Sequence, residues 1–358
     1  MPSVDERILK TFYGASGGTI SGEELAEKLN ISRTAIWAHI AEFRKLGYVF
    51  ESQPNVGYRL VETPDLLLGD DLMARLWPAP PAERGERGSP DPQSRVEATR
   101  GKTGIVGREI VVFRQTGSTN DLAAERARQG APEGLVIFAE KQTRGRGRMQ
   151  RGWESKDRHG LWFSFLLRCP LPTRAASQLT VMTTLAVLSA LHGATHLPLR
   201  IKWPNDIYCR GKKIAGILTE IEGDLDRIHH AVIGVGINVG HREADFSPAI
   251  RGGATSLLLA SGGQAFHRPE LAVKVLESID RHYELLKNGS FQDFLHEWEE
   301  WDDVLGKQIS VRTGERTLRG QASHLDDDGA LVIRLDSGVN ERITSGDLHI
   351  ERIESPHA

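Results

Sequence analysis

The spacing of apolar and polar positions changes three times along the chain, and each change marks a different kind of element. Near the start the period is helical: Leu25, Ala26 and Leu29 follow the capping pattern Ser21-Gly22-Glu23-Glu24 and predict a short amphipathic helix. After a turn at Asn30-Ile31, residues 32–46 predict a second helix, with Ile36, Ile40 and Phe43 inward and Arg33, Thr34, Trp37 and His39 outward. Helix, short turn, helix is the arrangement that reads a DNA groove. Residues 47–60, returning through Gly57-Tyr58-Arg59-Leu60 after Pro54-Asn55, predict the hairpin wing of a winged helix.

Further on the periods alternate. Runs 110–113, 135–138, 162–167 and 230–238 read as strands, whereas 175–191 and 271–286 carry helical periodicity. These predict an α+β domain over 105–303, with a mixed sheet and helices on one side. From residue 304 the character changes to short strands at 309–311, 318–322, 330–333 and 341–343, spaced by turns such as Asp327-Asp328-Gly329. They predict a small SH3-like β-barrel over 304–358. The expected fold class is therefore α+β, with a winged helix-turn-helix over 1–68, a linker or insertion over 69–104, and the two later domains. Within the linker, residues 78–104 hold five prolines, four glycines and one β-branched aliphatic, Val96. Such a stretch buries too little apolar surface to offset its ordering entropy.

Charge narrows the partners. With 45 Lys and Arg against 48 Asp and Glu, the net charge is -3, so the whole chain is no polycation. Residues 1–64 carry seven Lys or Arg against eight Asp or Glu, without a general basic footprint. Arg33, Arg44, Lys45 and Arg59 on one face would still supply the few phosphate contacts each half of a dimer needs. No run approaches the roughly 18 apolar residues of a membrane span, and Met1-Pro2-Ser3-Val4-Asp5-Glu6-Arg7 lacks the apolar segment of a signal peptide. Cys169 and Cys209 form no metal or disulfide framework, which fits a cytoplasmic location.

Three segments carry candidate chemistry. Residues 142–153 place four arginines and three glycines together after the apolar run 135–138. Glycines let a backbone approach a ligand, and guanidinium groups hold phosphate or carboxylate oxygens in a bidentate grip. A solvated turn or a nucleic-acid patch would use the same residues. Lys202-Trp203-Pro204-Asn205-Asp206-Ile207-Tyr208, continuing into 210–220, reads as strand, tight turn, strand with a polar corner at Pro-Asn-Asp. Lys213 opens the second strand, where Ile214, Gly216 and Leu218 predict one packed face with room left at the glycine. That lysine either caps a hairpin in solvent or points its charge into a cavity. Upstream, Ser118-Thr119-Asn120-Asp121 sits between a strand and a helical run, where it serves as a helix cap or as a binding point for a polar head group.

Taken in order, Ser118-Thr119-Asn120, Gln142, Gly145-Arg146-Gly147-Arg148 with Trp153, Lys202 to Asp206, 213–218, and Gly234-Val235-Gly236-Ile237-Asn238 resemble the motifs of biotin protein ligases. The resemblance covers roughly 108–352, and residues 5–68 extend it to the bifunctional subtype that is also the biotin operon repressor. One departure stands out: where that family commonly continues with Arg-Gly-Arg, this chain has Met149-Gln150-Arg151.

The resemblance implies ATP-dependent formation of biotinyl-5'-AMP and transfer of biotin to a lysine of a biotin carboxyl carrier protein or domain, typically of acetyl-CoA carboxylase. It implies Lys213, Arg146, Arg148 and Asp206 as catalytic. Ser118, Thr119, Asn120, Gln142, Gly145, Gly147, Trp153, Gly216, Gly234 and Gly236 would join Lys213, Arg146 and Arg148 around biotin. Arg148, Trp153, Lys202, Asn205, Asp206 and Asn238 would meet the nucleotide. Mg²⁺ would accompany the triphosphate, and no carboxylate cluster in the sequence identifies its ligands. Operator DNA would meet Ser32, Arg33, Thr34, Trp37, His39, Arg44, Lys45 and Arg59, with a homodimer forming on ligand binding and no membrane involved. Two alternatives stay open: a lipoate or octanoyl ligase-transferase, and a non-catalytic transcription factor that senses biotinyl-AMP.

Overall fold

The computed structural model describes residues 2–53, 56–76, 104–169, 171–289 and 291–351. Most of the proline- and glycine-rich linker, from 77 to 103, lies outside the described residues, as does the wing tip Pro54-Asn55.

The N-terminal unit contains α1 (Val4–Gly14), α2 (Gly22–Leu29) and α3 (Arg33–Lys45), followed by the antiparallel pair β1 (Val49–Gln53) and β2 (Gly57–Glu62). Ser3, Ser21 and Ser32 each cap a helix by accepting a hydrogen bond from the amide three residues on. Ile36, Ile40 and Phe43 are buried with Ile8, Phe12, Leu25 and Phe50, as the helical period of α3 requires. The sequence expectation placed a linker from 69 onward, and this is corrected at its start. Residues there form α4 (Gly69–Leu76), which puts Ala74 into the N-terminal core and Leu72 and Leu76 into the central one. Its buried Asp71 accepts hydrogen bonds from Tyr13, from Tyr48 at 2.9 Å and from Arg75 Nε at 2.7 Å. A carboxylate with three donors is stable without water, so α4 belongs to the packed body.

The central sheet has seven strands in the order β3-β4-β5-β9-β8-β7-β6. In chain order these are β3 (Glu109–Phe113), β4 (Leu135–Ala139), β5 (Gly160–Leu167), β6 (Leu199–Lys202), β7 (Asp206–Cys209), β8 (Lys212–Gly223) and β9 (Ile228–Asn238). Only β3 and β4 are parallel, joined across α5 (Thr119–Arg128). One face is covered by α6 (Ala176–Thr195) and, beyond the short α7 (Leu257–Ala260), by α8 (Arg268–Lys287), with α9 (Phe291–Trp301) beside them. The expectation of helices on one side alone is corrected: α5 packs Ala123 and Ala127 on the other face, against Leu135, Ile137, Leu166 and Val232. This cover is partial, and the uncovered part of that face becomes a concavity.

Residues 173–195 pass for a membrane span by length and composition, although Thr, Ser, Gln and His interrupt every apolar run in them. Here Leu179, Met182, Leu185, Leu188 and Leu191 are fully buried between the sheet and α8, so the segment is a core helix.

The last unit is an antiparallel sheet in the order β13-β12-β11-β10-β14. It comprises β10 (Gln308–Thr313), β11 (Arg316–Leu325), β12 (Leu331–Leu335), β13 (Asn340–Ile343) and β14 (Asp347–Ile350). The fifth strand, β14, escaped the sequence reading, and no ladder joins β13 to β14 among the described residues. The expected barrel is thus open along that seam.

Candidate functional site

Across the strands β5, β9 and β8, glycines open space on one face of the sheet. Ser164 pairs with Gly234 and Trp162 with Gly236, while Gly216 faces Gly236 and Leu218 faces Gly234. The opposite face of the same strands is packed with Ile217, Ile233 and Val235, so the alternation holds the backbone rigid while the glycines leave space above it. A cavity of ≈ 670 Å³ opens there. Two side chains occupy what a Cβ would fill: Asn120 Oδ1 lies 2.2 Å from a Cβ built on Gly234, and the Trp153 indole 2.5 Å from one built on Gly236.

One end of the cavity is a neutral polar cluster. Gln142 Oε1 accepts from the Thr119 amide at 2.8 Å and the Thr119 hydroxyl at 3.2 Å, and Gln142 Nε2 donates to Ser155 at 2.9 Å. Ser164 Oγ lies 2.7 Å from Thr119 Oγ1 and donates to Asn120 Oδ1 at 2.6 Å, while Asn120 Nδ2 donates to Glu220 at 2.7 Å. Ser118 occupies the N-cap position of α5, yet its side chain makes no capping hydrogen bond; Gln142 satisfies the first turn instead. The buried Ser118, Thr119 and Asn120 line the cavity at a helix N-terminus, where donors converge on a polar head group.

The other end carries the charges. β7 and β8 pair Ile207 with Ala215 but Tyr208 with Lys213, so β8 accommodates one extra residue, Ile214. This bulge corrects the predicted alternation. Ile214 joins Ala215 and Ile217 in the core, and Lys213 comes onto the face of Gly216, with Nζ 3.2 Å from a Cβ built there. Lys213 Nζ lies 2.6 Å from Asp206 Oδ1, off hydrogen-bond alignment, and 5.2 Å from the centre of the Trp153 ring. The expected single turn is in fact two: Trp203-Pro204-Asn205 turns β6 into β7, and Arg210-Gly211, both at positive φ, turn β7 into β8. Asn205 Nδ2 donates to Ile217 O at 2.5 Å and Asn238 Nδ2 to Thr255 O at 3.0 Å, fixing both amides at the cavity wall.

Above the floor runs the arginine segment. Its two expected phosphate clamps point apart: Arg146 meets Asp121 at 2.6 Å and Glu220 at 3.1 Å, whereas Arg148 donates to the neutral Asn205 at 3.2 Å. Burial pushes the Arg148 guanidinium down, opposed by the more distant Asp206 and Asp347. Met149 and Gln150 hold φ of 53° and 60°, where the resembling family commonly has arginine and then glycine. Arg151 is ion-paired with Asp347 of β14, and that hydrogen bond holds Asp347 below the usual carboxylate range.

All the residues expected around biotin and nucleotide line the cavity except Gly145, which is buried beneath the loop with its Cβ position 2.5 Å from Trp153 O. Missed by sequence were Ser155, Ser164 and Glu220, which brace the polar end, and Gly346, Asp347, Leu348 and His349, which bring the last sheet to the cavity. Only β14, had it been read, signalled the latter. Among the described residues, no group of three or more His, Cys, Asp or Glu is placed to hold a metal ion.

On the N-terminal unit, Arg33, Thr34 and Trp37 are exposed on α3, Trp37 at 59%. The other expected DNA contacts are engaged internally. His39 Nδ1 lies 2.6 Å from Asp5, Lys45 pairs with Glu42 and Arg59 with Glu51, each at 2.6 Å, and Arg44 donates to Phe50 O. Exposed pairs of this kind are worth ~0–1 kcal/mol and exchange easily for phosphate.

Residues 112–238 match the model of the biotin/lipoate A/B protein ligase family, 5–59 a helix-turn-helix domain, and 304–348 the biotin protein ligase C-terminal domain. A bifunctional ligase/repressor BirA of Bacillus spizizenii is 33% identical over 96% of this chain and 97% of its own length. A biotin--[acetyl-CoA-carboxylase] ligase of Mycobacterium tuberculosis is 32% identical over 67% of this chain and 88% of its own. Among solved structures, the Aquifex aeolicus biotin protein ligase in complex with biotin and ATP is similar with a TM-score of 0.59 and 30% identity, over 68% of this chain and 100% of that one. By sequence over nearly its full length and by fold over 68% of it, the chain belongs to the biotin protein ligase family.

Proposed function

We infer that this protein is an ATP-dependent, AMP-forming biotin protein ligase that also acts as a repressor through its helix-turn-helix. The observation that carries the reading is a single cavity with a neutral polar cluster at one end, Lys213 and Arg148 at the other, and a glycine floor between. A ureido head group suits the first end, where Ser118, Thr119, Asn120 and Gln142 offer both donors and acceptors, and an aliphatic chain suits the floor. A carboxylate meeting an α-phosphate suits the second, because two anions approach only where cations offset their repulsion.

The carboxylate oxygen attacks the α-phosphorus, the bond to the bridging oxygen breaks, and pyrophosphate leaves with its electron pair. Lys213 sits at the meeting point and Arg148 at the phosphate, while Trp153 walls the nucleotide and its buried indole nitrogen, without a partner among the described residues, is free to donate. Lys202, Asn205 and Asn238 line the same nucleotide end, and Arg146 closes over the adenylate once it leaves Asp121 and Glu220. In the second step a lysine amine attacks the carbonyl and AMP departs; Asp206, beside Lys213, orients the incoming amine and takes its proton. Mg²⁺ would come with the triphosphate: the absence of a ligand cluster among the described residues does not fit a resident ion, and no step is assigned to it.

Cysteine-based acyl transfer is the weaker reading. Cys169 and Cys209 are both buried, and burial pushes both thiols up, opposite to what a nucleophile needs. The partners proposed are a biotin carboxyl carrier domain, a second copy of the chain when adenylate is bound, and operator DNA at the exposed face of α3. Residues 105–303 are proposed as the catalytic domain, with 304–358 closing its charged end. Labelled biotin, ATP and an acceptor domain should together yield labelled acceptor and AMP, whereas lipoate should not. Adenylate without transfer would leave the sensor alternative. Footprinting with adenylate present should protect a two-fold site, weakening steeply with salt.

A further inference from the structure

We propose that the cleft between the arginine segment and the C-terminal sheet is a second phosphate subsite, which takes the β- and γ-phosphates of ATP and then the departing pyrophosphate, with Arg312 of β10 holding them. The inference rests on the ligase reading above. The cleft, ≈ 220 Å³ in volume, is walled by Arg148, Arg312, Thr313, Gly314, Ser345 and Gly346, together with Met149 and Leu218. No carboxylate is among its lining residues.

Its position follows from shared walls. Arg148, Met149, Leu218 and Gly346 line both this cleft and the main cavity, so the two spaces adjoin along these residues. Displacement at the α-phosphorus is in line, so the leaving group departs away from the entering oxygen. With the biotin carboxylate at Lys213 and the α-phosphate at Arg148, the cleft beyond Arg148 is the space left for the leaving group.

The charge balance agrees. Arg148 is half-buried and has only the neutral Asn205 as a hydrogen-bond partner, with no carboxylate in ion-pair reach among the described residues. Asp347, next in sequence to the cleft-lining Gly346, is shared among Arg151, Arg312 at 3.6 Å and His349 at 3.5 Å. Asp206, the other acid acting on Arg148, is paired with Lys213, so two carboxylates face three guanidinium groups and a lysine, and positive charge is left over. Among the described residues the Arg312 guanidinium makes only that long contact, so its forked donors remain available for a phosphate. Thr313 and Ser345 add hydroxyl donors beside it.

Two variants test the subsite, Arg312→Ala and Arg312→Lys. Arg312 is exposed on β10, so both variants should melt like the parent. In Arg312→Ala the KM for ATP in adenylate synthesis should rise about tenfold or more, and pyrophosphate inhibition should weaken by a similar factor, the scale of a charge-assisted hydrogen bond. Arg312→Lys should fall between. Biotin affinity by calorimetry, and transfer to acceptor from preformed biotinyl-AMP, should not change, because neither involves a triphosphate. Unchanged ATP KM and pyrophosphate inhibition in Arg312→Ala would overturn the proposal, as would an equal loss in transfer from preformed adenylate. A parent protein that makes no adenylate would instead sink the ligase reading, and direct titration of parent and variant with inorganic pyrophosphate still tests the subsite by itself.

Discussion

Gly216, Gly234 and Gly236 lie inside hydrogen-bonded strands whose other face is fully buried, whereas Met149 and Gln150 hold positive φ in an exposed segment tied to the body by Arg146 and Arg151 ion pairs. The floor has one conformation because backbone ladders and core packing both specify it. The loop is held by exposed charge pairs worth ~0–1 kcal/mol each, set against residues that disfavour their own backbone angles. A rigid floor fixes where the ligand sits, and an exchangeable loop allows it to enter and leave. Under the ligase reading, ligand phosphate would replace the carboxylates that hold Arg146.

The comparison breaks most visibly at Lys213, the charge carried by the floor. Lys213→Ala should lower biotinyl-AMP formation by about a hundredfold to a thousandfold, the effect of losing one preorganised electrostatic stabiliser, while the melting temperature stays near the parent's. Single-turnover assays decide it, and a parental rate removes Lys213 from the chemistry.

Acid should act on the floor side through His241, buried and stacked on the cavity-lining Phe246. Burial pushes this imidazole down to about 4 from the usual 6.5. The unfolded chain therefore binds a proton between those values that the folded chain refuses, so the stability contribution is complete above pH 6.5 and is lost as pH falls through 4. His241→Phe should flatten that part of the stability profile by on the order of 2 kcal/mol, measured by urea unfolding at about pH 7, 5.5 and 4.

Matched glycine substitutions compare the two regions directly. In Gly236→Ala the new Cβ falls 2.5 Å from the Trp153 indole, whereas in Gly147→Ala it meets nothing nearer than Arg151 O at 3.5 Å. The first should weaken nucleotide binding about tenfold by displacing the ring, a cost of ~1.4 kcal/mol. The second should change it little. Equal effects in calorimetry would mean that floor and loop are equally rigid.

The smallest effect is expected at Gln150. Gln150→Gly relieves the left-handed backbone at φ 60° but adds unfolded freedom, so the net change should stay within about 1 kcal/mol. It should show as modestly greater protease resistance of the loop when adenylate is bound.

Much of this was legible. Helical spacing placed Ile36, Ile40 and Phe43 in the N-terminal core, and the family resemblance pointed to Gly234 and Gly236, which line the cavity on β9. The bulge at Ile214 was not legible, because a one-residue slip changes which side chains share a face without changing the sequence pattern. Nor was the role of β14, whose Asp-Leu-His-Ile reads as an ordinary short strand until β10 pairs with it.

By itself the sequence determined the order of the three units and most of their element types, because capping residues and periodicity act over a few neighbouring residues; through the family resemblance of its motifs it also named many of the residues that line the cavity. Tertiary structure alone decided which of those side chains meet. It brought Lys213 onto Asp206 through a strand bulge, sent Arg146 and Arg148 to different partners, and carried Asp347 to Arg151 across 196 residues of chain. Charge pairing across such separations depends on where packed sheets bring the backbone, and no local pattern encodes that distance.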